Sequence, residues 1–369
     1  MTPERVARWR EARRILAIRL DGMGDLLMTT PAFRALKQSA PGRTLTVLTS
    51  KSGAEAARLV PEVDAVIEYA APWMKAPSDG CPGEDLACIE QLREERFEAA
   101  VIFTLHSQSP LPAALACYLA GIPLRIARCR ENPYHLLTDW IREDEVGEPQ
   151  RHDVRRQLDL CARIGATAND EHLSLSVSED ARASAIQQLQ TWGLVSGPWC
   201  VLHPGASAAS RRYPPESFVA AATDLAFNHG WRFLVTGGPG EQELCEEVAG
   251  GIGPAAIIAP AGSLESLAAL IETAPLLISN NTGPVHIAAA VGTPVVDLYA
   301  LTNPQHTPWQ VPQRTLSHDV PCKYCYRSVC PEVHNACIRL ISPRDVVAAA
   351  LALTTECPPP GRIGEASYA

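Results

Sequence analysis

Short runs of β-branched and other apolar residues alternate with longer segments whose apolar residues recur at helical spacing along most of the chain. In the first half this pattern predicts a strand at residues 15–20, a glycine-containing turn at 21–25 and a helix at 26–38. Further strands are predicted at 44–49, 99–105 and 124–127, and further helices at 111–120, 153–164 and 179–192. Such alternation is typical of a parallel sheet covered by helices.

The alternation starts again after residues 193–198, which we interpret as a linker. The second half predicts strands at 199–203, 231–236, 256–258, 276–279 and 294–299, and helices at 215–228, 240–249, 264–274 and 284–291. The sequence therefore predicts an α/β protein with two Rossmann-like, doubly wound domains, residues 1–192 and 199–345, followed by a helix and tail at 346–369. Ligands of such sheets bind at the carboxyl ends of the strands, so we expect the domains to face each other across a binding cleft.

The composition is that of an ordinary globular chain, and the net charge argues against one class of partner, nucleic acids. The 369 residues are 46% hydrophobic and 20% charged, which favours two domains with buried cores. The formal net charge of −9 argues against a nucleic-acid-binding protein. No stretch reaches the ~18 apolar residues of a membrane span, and the arginine-rich start lacks the apolar core of a secretion signal. We therefore expect a cytoplasmic location.

The turn after the first predicted strand has the sequence Asp21-Gly22-Met23-Gly24-Asp25. Gly22 and Gly24 would allow a tight turn and the close approach of another molecule, and the amides of the following helix favour a negative group. Alternatively, Asp25 only caps the helix. The glycine spacing is an incomplete dinucleotide fingerprint and gives little support to a nicotinamide site.

Two polar segments in the second half are candidates for binding an anion. The sequence HPGAS at 203–207 follows a predicted strand and precedes Arg211 and Arg212, whose guanidinium groups match phosphate oxygens. In SNNTGPVH, residues 279–286, backbone amides, a hydroxyl and a helix dipole converge after another strand. A diphosphate suits both segments. A solvated loop and a capped helix start without a ligand are the alternatives, and a lone His286 is typical of a packed histidine.

Taken together and in this order, the three segments resemble glycosyltransferase family 9, the bacterial ADP-heptose:lipopolysaccharide heptosyltransferases. The similarity spans residues 14–350 and includes Thr30-Pro31, GGPGE at 237–241 and GTP at 292–294. It implies a GT-B fold in which the second domain mainly holds the nucleotide sugar and the first holds the acceptor. It also implies an inverting transfer of a sugar, by family a heptose, from a nucleotide-diphosphate donor to a lipopolysaccharide-type, lipid-linked acceptor.

The resemblance also implies roles for individual residues. Asp25 matches the general base that removes the proton from the acceptor hydroxyl as it attacks the anomeric carbon opposite the diphosphate. Arg211 stands where the family commonly has a lysine near the donor phosphates. Asn281 stands where many members have an aspartate, so the identity of the donor sugar or nucleotide does not follow from the resemblance. The other donor-binding positions implied are Ser207, Glu241, Thr282, Gly283, Pro284 and His286.

GT-B enzymes generally stabilise the departing diphosphate with amides and cationic side chains, so we expect catalysis to need no cofactor and no magnesium. Three alternatives stay open. They are a transferase of the same fold that uses another nucleotide sugar, a nucleotide-sugar isomerase, and a non-enzymatic nucleotide-binding scaffold. The isomerase would turn over its donor without an acceptor.

Four of the twelve cysteines lie close together in the loop 321–337, at Cys322, Cys325, Cys330 and Cys337. Four thiolates could close a tetrahedral zinc site, which would be structural because no coordination position stays open for a substrate. Two disulfides or four unligated thiols are the alternatives. A long chain without a secretion signal favours reduced thiols or metal ligands.

The start of the chain is basic, with arginines at positions 5, 8, 10, 13 and 14. As a helix, this segment could lie on anionic lipid headgroups with Val6 and Trp9 inserted, a peripheral membrane contact that would suit a lipid-linked acceptor. A solvated basic face is the alternative.

Overall fold

The protein is described by a computed structural model that covers residues 2–75, 80–143, 151–194 and 196–358. By its internal contacts the chain divides into two units, Met1–Ser176 and Val177–Ala369. Each unit contains a six-stranded sheet whose paired strands are parallel. The predicted architecture of two α/β domains is therefore confirmed.

The first unit contains six strands: β1 (Arg14–Arg19), β2 (Thr44–Thr49), β3 (Ala65–Glu68), β4 (Ala99–Ile102), β5 (Leu124–Cys129) and β6 (Asp139–Arg142). Its helices are α1 (Pro3–Glu11), α2 (Met23–Gln38), α3 (Lys51–Ala57), α4 (Pro82–Glu94), α5 (Leu111–Leu119) and α6 (Asp153–Ala162). The strand order is β3-β2-β1-β4-β5-β6. The order reverses between β1 and β4, which is where a sheet of this topology opens a crevice for a ligand.

The second unit contains β7 (Trp199–His203), β8 (Arg232–Val235), β9 (Ala256–Ile258), β10 (Leu277–Asn280), β11 (Val295–Leu298) and β12 (Gln313–Leu316). Its helices are α7 (Glu179–Thr191), α8 (Pro215–His229), α9 (Gln242–Ile252), α10 (Leu264–Thr273), α11 (Gly283–Val291), α12 (Ala336–Arg339) and α13 (Pro343–Glu356). The strand order is β12-β11-β10-β7-β8-β9. The reversal here lies between β10 and β7.

The central strands are buried along nearly their whole length, which explains their continuous apolar sequences. The edge strands β3, β6 and β12 have mostly exposed or half-buried positions and weak apolar patterns, and sequence analysis missed them. It also missed α3 and α4. In α4, five of the thirteen residues are charged and only two are buried, so its apolar face is narrow.

The division between the units lies earlier than the sequence indicated. Residues 179–192 were expected in the first domain, but α7 belongs to the second unit, where it packs against α10. Arg182 of α7 pairs with Glu272 of α10, with 2.7 Å between Nε and Oε2. The segment 193–198 therefore follows α7 within the second unit. The expected C-terminal helix begins at Pro343, and the tail from 359 onward lies outside the described residues.

The first helix packs its tryptophan into the first unit. Trp9 is only 1% exposed, and its indole Nε1 donates to Asp139 Oδ2 at 3.0 Å. Arg5 pairs with the same carboxylate, at 3.1 Å from Nε to Oδ1. The expectation that Trp9 inserts into a membrane is therefore wrong, because its side chain already has an apolar environment and a buried partner. Within the described residues, no helix is both long and apolar enough to span a bilayer.

His203, the last residue of β7, is a buried base. Its Nδ1 lies 3.0 Å from Thr236 Oγ1, and its Nε2 lies 3.8 Å from Glu241 Oε2. Burial lowers the pKa of His203 to about 4, and the charge of Glu241 opposes that shift only in part. The imidazole is therefore neutral in the folded protein at neutral pH.

Replacing Trp9 by alanine should lower the free energy of unfolding by about 3–5 kcal/mol, because it removes a large buried side chain and leaves Asp139 without its indole donor. Urea unfolding measures this loss, and Arg8→Ala, at an exposed position of the same helix, is the control. Unchanged stability together with reduced binding to anionic vesicles would instead support membrane insertion.

Acidification should destabilise the second unit through His203. The unfolded side chain takes up a proton near its ordinary pKa of 6.5, whereas the folded one does so only near 4. Its stabilising contribution is complete above pH 6.5 and is lost as the pH falls towards 4, about 2 kcal/mol of it by about pH 5. Denaturant unfolding at about pH 7.5 and about pH 5 measures the total pH dependence, and the difference between wild type and His203→Gln isolates the loss, because Asp297, whose burial raises its pKa to about 8, titrates in both proteins. His203→Gln should remove this loss while exposed His229→Gln should leave it unchanged. Equal pH dependence in all three proteins would refute the assignment.

Candidate active site

A fully buried arginine at the end of β1 is surrounded by three carboxylates of the first unit. Arg19 Nη2 lies 2.9 Å from Asp153 Oδ2 and 3.4 Å from Asp25 Oδ1. Its Nε lies 3.1 Å from Asp21 Oδ2. A buried guanidinium is tolerated only when its lost hydration is compensated, and here three carboxylates supply compensating charges while Asp153 Oδ2 also accepts a hydrogen bond from Nη2.

The three acids come from different elements that converge at this end of the sheet. Asp21 lies in the short link after β1, whereas Asp25 and Asp153 occupy the first turns of α2 and α6. A carboxylate in the first turn of a helix is favoured by the helix dipole. Gln157, one turn later in α6, donates from Nε2 to Asp153 Oδ1 at 3.0 Å and to the Thr104 carbonyl at 3.1 Å. The cluster therefore holds α2 and α6 against β1.

The charges in this cluster shift one another's pKa. Burial raises the pKa of Asp21 to about 6, Arg19 opposes that shift, and the charge of Asp25 adds to it. Burial alone would lower the pKa of Arg19, but its carboxylate partners, Asp153 foremost, raise it above its ordinary value. Arg19 is therefore charged at any working pH.

Asp25 is the member of the cluster that a ligand can reach. Its side chain is 21% exposed, whereas the side chains of Arg19 and Asp153 are fully buried and that of Asp21 is 6% exposed. The residue lies inside α2, which begins at Met23, so the predicted turn at 21–25 is shorter than expected. Asp25 is thus a partly exposed carboxylate whose orientation is restrained by Arg19.

The glycines of this segment are not required by its backbone in the way the sequence suggested. Gly22 is the N-cap of α2 with an ordinary φ of −78°, and neither Gly22 nor Gly24 has a positive φ. A Cβ added at Gly22 would lie 3.9 Å from Asp25 Oδ2, an ordinary van der Waals distance. A side chain at Gly22 would therefore reduce the space beside the Asp25 carboxylate.

A pocket of about 290 Å³ lies at the β1/β4 crevice of the first unit. Asp21 and Gln108 supply polar groups to its wall, while Trp73, Met74 and Phe103 supply apolar surface. The Gln108 amide donates to Asp21 Oδ1, which joins the loop after β4 to the link after β1. The pocket and the Arg19 cluster therefore share Asp21.

In the second unit, a buried amide joins the loops at the β7/β10 crevice. Asn280 Nδ2 donates to the Pro204 carbonyl at 2.7 Å, and the Tyr213 amide donates to Asn280 Oδ1 at 3.0 Å. The loop that contains Ser207 and Arg211 is thereby held beside the end of β10. Ser207 is exposed and Arg211 half-buried, so both can meet a ligand.

Glu241 turns inward onto the same loop. Its Oε2 accepts from the Gly238 amide at 2.7 Å and lies against Gly205, where an added Cβ would be only 2.0 Å from that oxygen. Gly205 is therefore required by the position of the Glu241 side chain. The carboxylate implied as a sugar or ribose contact is already held by the protein, with 18% of the side chain exposed.

Asn281 also directs its side chain into the protein. Its Nδ2 donates to both oxygens of Asp297, at 3.2 and 3.1 Å, and lies 2.9 Å from the His306 carbonyl oxygen. Asp297 is completely buried in β11, and this burial raises its pKa to about 8, against the effect of the Asn281 hydrogen bond. Asn281 therefore stabilises a buried acid that is mainly neutral at pH 7.

The start of α11 presents the Thr282 hydroxyl and the Gly283 backbone amide. Thr282 is the N-cap in an extended conformation, and its hydroxyl makes no capping hydrogen bond. Thr282 and Gly283 are half-buried, whereas Pro284 and His286 are buried and support the turn from inside. The helix begins at Gly283, one residue before the expected start. The half-buried Thr282 hydroxyl and Gly283 amide are the groups suited to an anion.

The sequence pattern indicates Asp25 but assigns no role to the buried residues that hold it, Arg19, Asp21 and Asp153. In the second unit it gave no role to Asn280 or Asp297. A signal was available for two of these residues, because Arg19 in the predicted strand 15–20 and Asp297 in the predicted strand 294–299 are the single charged residues of otherwise apolar segments. A charge buried in a central strand needs a partner, and that requirement marks both positions. Asp153 resembled an ordinary first-turn acid.

Comparisons with known proteins identify the family of the chain. Residues 86–335, more than half of the chain, match the family described as glycosyltransferase family 9 (heptosyltransferase). Lipopolysaccharide heptosyltransferase 3 of Escherichia coli strain K12 is 26% identical over 293 residues, which cover 78% of this chain and 82% of that protein.

Two solved structures share the fold over 93% of this chain. The glycosyl transferase family 9 structure from Veillonella parvula has a TM-score of 0.79 at 21% identity, with 98% of that chain covered. The structure of Escherichia coli ADP-heptose lps heptosyltransferase II has a TM-score of 0.72 at 23% identity, with 99% of that chain covered. The fold is thus that of GT-B glycosyltransferases. The chain belongs to glycosyltransferase family 9 and is a glycosyltransferase.

Proposed function

We propose that the protein transfers a heptose from ADP-heptose to a saccharide acceptor of the lipopolysaccharide class, in one displacement that inverts the anomeric carbon. The names of two similar proteins support this choice, one a lipopolysaccharide heptosyltransferase and the other an ADP-heptose heptosyltransferase. The chemistry is assigned to residues of this chain below, one unit at a time.

Asp25 is the proposed general base, and its partial exposure is the observation on which the assignment depends. A base must reach the acceptor hydroxyl, and within the Arg19 cluster Asp25 has the most exposed side chain. The ion pair with Arg19 restrains the carboxylate, so that less orientation has to be achieved at the moment of reaction. As the hydroxyl oxygen bonds to the anomeric carbon, its proton passes to an Asp25 oxygen and the bond to the diphosphate breaks.

The pocket at the β1/β4 crevice is the proposed acceptor site. Asp21 and Gln108 offer hydrogen-bonding groups to sugar hydroxyls, and Trp73 offers an aromatic surface. Because Arg19 contacts both Asp21 and Asp25, a saccharide bound here would lie beside the proposed base. One unit would thus both bind the acceptor and supply the base.

The second unit is the proposed donor site. Negative charge grows on the departing diphosphate, and the backbone amide at the start of α11 and the guanidinium of Arg211 would stabilise it. Ser207 and the Thr282 hydroxyl add donors from the β7 and β10 loops. These groups supply the stabilisation without magnesium, so we expect the transfer rate to be unaffected when magnesium is omitted.

Asp25→Asn should reduce kcat by about 10²- to 10⁴-fold, because the amide keeps the shape of the side chain but cannot accept the proton. Donor binding, measured by calorimetry with ADP, should be unchanged. The matched control is Asp180→Asn, which removes an exposed acid from the first turn of another helix and should leave kcat unchanged. Near-normal transfer by Asp25→Asn would exclude Asp25 as the base.

A thermal-shift screen of nucleotide sugars tests the donor. ADP-heptose should raise Tm in proportion to the logarithm of its concentration, and saturation at about 100 times Kd corresponds to about 2.7 kcal/mol of stabilisation. UDP- and GDP-linked sugars at the same concentrations are the controls. Stabilisation by one of these sugars and not by ADP-heptose would refute the donor assignment. Conversion of a donor without any acceptor would identify an isomerase.

A further inference from the structure

The cysteine loop, residues 321–337, has no role in the proposed chemistry and is organised unlike an ordinary surface loop. Its four cysteines are half-buried free thiols. Its valines point outward, with Val329 and Val333 exposed to 71% and 81%. A loop that turns its thiols inward and its apolar side chains outward has no hydrophobic core of its own and needs another source of order.

The backbone of this loop is also unusually constrained. Four of its non-glycine residues have positive φ angles, namely Tyr324 (64°), Tyr326 (55°), Val333 (62°) and Asn335 (47°). Each left-handed residue of this kind costs about 1–2 kcal/mol, and a β-branched valine is an outlier there. Such a conformation persists only where the surroundings enforce it. Backbone hydrogen bonds of the Tyr324 and Tyr326 amides hold two of these residues. Val333 and Asn335 lie between Cys330 and Cys337, so bonds to those two sulfurs would hold the other two.

The histidine within the loop directs a proton at one of the sulfurs. His334 Nδ1 accepts from the Ala336 amide at 2.9 Å. The neutral ring therefore has its proton on Nε2, which lies 3.8 Å from Cys322 Sγ. An N–H group aimed at sulfur stabilises a thiolate, and thiolate is the form that binds metal.

The four cysteines lie within sixteen positions of one loop without yet forming a closed site. In this fully described loop no three ligand atoms lie within 4.8 Å of one another. An ion bound here would therefore draw the thiols together.

Backbone hydrogen bonds connect the loop to the proposed donor site. The Tyr324 and Tyr326 amides donate to the carbonyls of Leu301 and Thr302, at 2.6 and 2.7 Å. The Ser210 amide donates to the Ser328 carbonyl at 3.1 Å, and the Ser210 hydroxyl donates to the Arg327 carbonyl at 2.9 Å. Ser210 precedes Arg211 in the same short helical turn. These hydrogen bonds connect the cysteine loop to the turn that contains Arg211, so a more rigid loop would also restrain that turn.

We propose that Cys322, Cys325, Cys330 and Cys337 bind one thiolate-preferring divalent ion, Zn²⁺ or Fe²⁺, in a structural site that holds the Arg211 turn in place. Binding converts four thiols into four metal thiolates and releases four protons to solvent. His334 donates a hydrogen bond to the Cys322 sulfur and is not itself a ligand. The proposed metal site does not depend on the proposed function. Only an effect of the metal on donor binding would depend on that function.

Elemental analysis of the purified full-length protein tests the site. We expect one zinc or iron ion per chain, lost in Cys325→Ser and Cys330→Ser and retained in Cys81→Ser, which alters an exposed cysteine outside the loop. His334→Gln should keep the stoichiometry with about 10- to 100-fold weaker affinity. If the serine variants fail to fold, Co²⁺ added to demetallated wild-type protein should give the absorption of a tetrahedral thiolate complex. A folded, metal-free protein with four reactive thiols or two disulfides, and no Co²⁺ complex, would overturn the proposal.

Hydrogen exchange tests the connection to Arg211 independently of activity. Removing the metal should accelerate exchange in the peptide that contains the Ser210 amide, whose acceptor is Ser328. A peptide from α8 in the same unit should be unaffected and is the control. If removal leaves exchange at Ser210 unchanged, the ion does not hold this turn.

Discussion

The first unit depends on one electrostatic constraint, the compensation of the buried guanidinium of Arg19. An uncompensated buried charge costs several kcal/mol, so the fold must bring acids to this point. It does so from the link after β1 and from the first turns of α2 and α6. Because the same arginine contacts Asp25, the interaction that holds these elements together also restrains the proposed base.

The loops of the second unit are held mainly by neutral groups. Two buried titratable side chains near its strand ends, His203 and Asp297, are mainly uncharged at neutral pH. Burial lowers the pKa of His203 to about 4 and raises that of Asp297 to about 8. Asn280 and Asn281 then hold the loops by amide hydrogen bonds. The first unit thus positions its candidate site with buried charges, whereas the second unit holds its loops with neutral amides and with the mainly neutral His203 and Asp297.

Much of the fold could be predicted from sequence, and the failures have physical reasons. Central strands are buried on both faces and read as continuous apolar runs, so β1, β7 and β10 were placed within one residue of their observed starts. The edge strands β3, β6 and β12 have few buried positions and contain charged residues that break the pattern, whereas the edge strand β9 was found because its three residues are all apolar. Helix α7 was placed in the wrong unit because its packing on α10 is a long-range contact that periodicity does not encode.

For the site, the sequence by itself determined which residues follow the strands at the two crevices, and therefore placed Asp25, Arg211 and Thr282 at strand ends. Strand order and exposure are properties of the assembled sheet, so only the tertiary structure decided which of these side chains a ligand can reach. It also decided that Asn281, His286 and Trp9 point inward, because a buried partner or an apolar environment outweighs hydration for each. Local sequence records residue type and spacing, whereas burial arises from contacts between residues far apart in the chain.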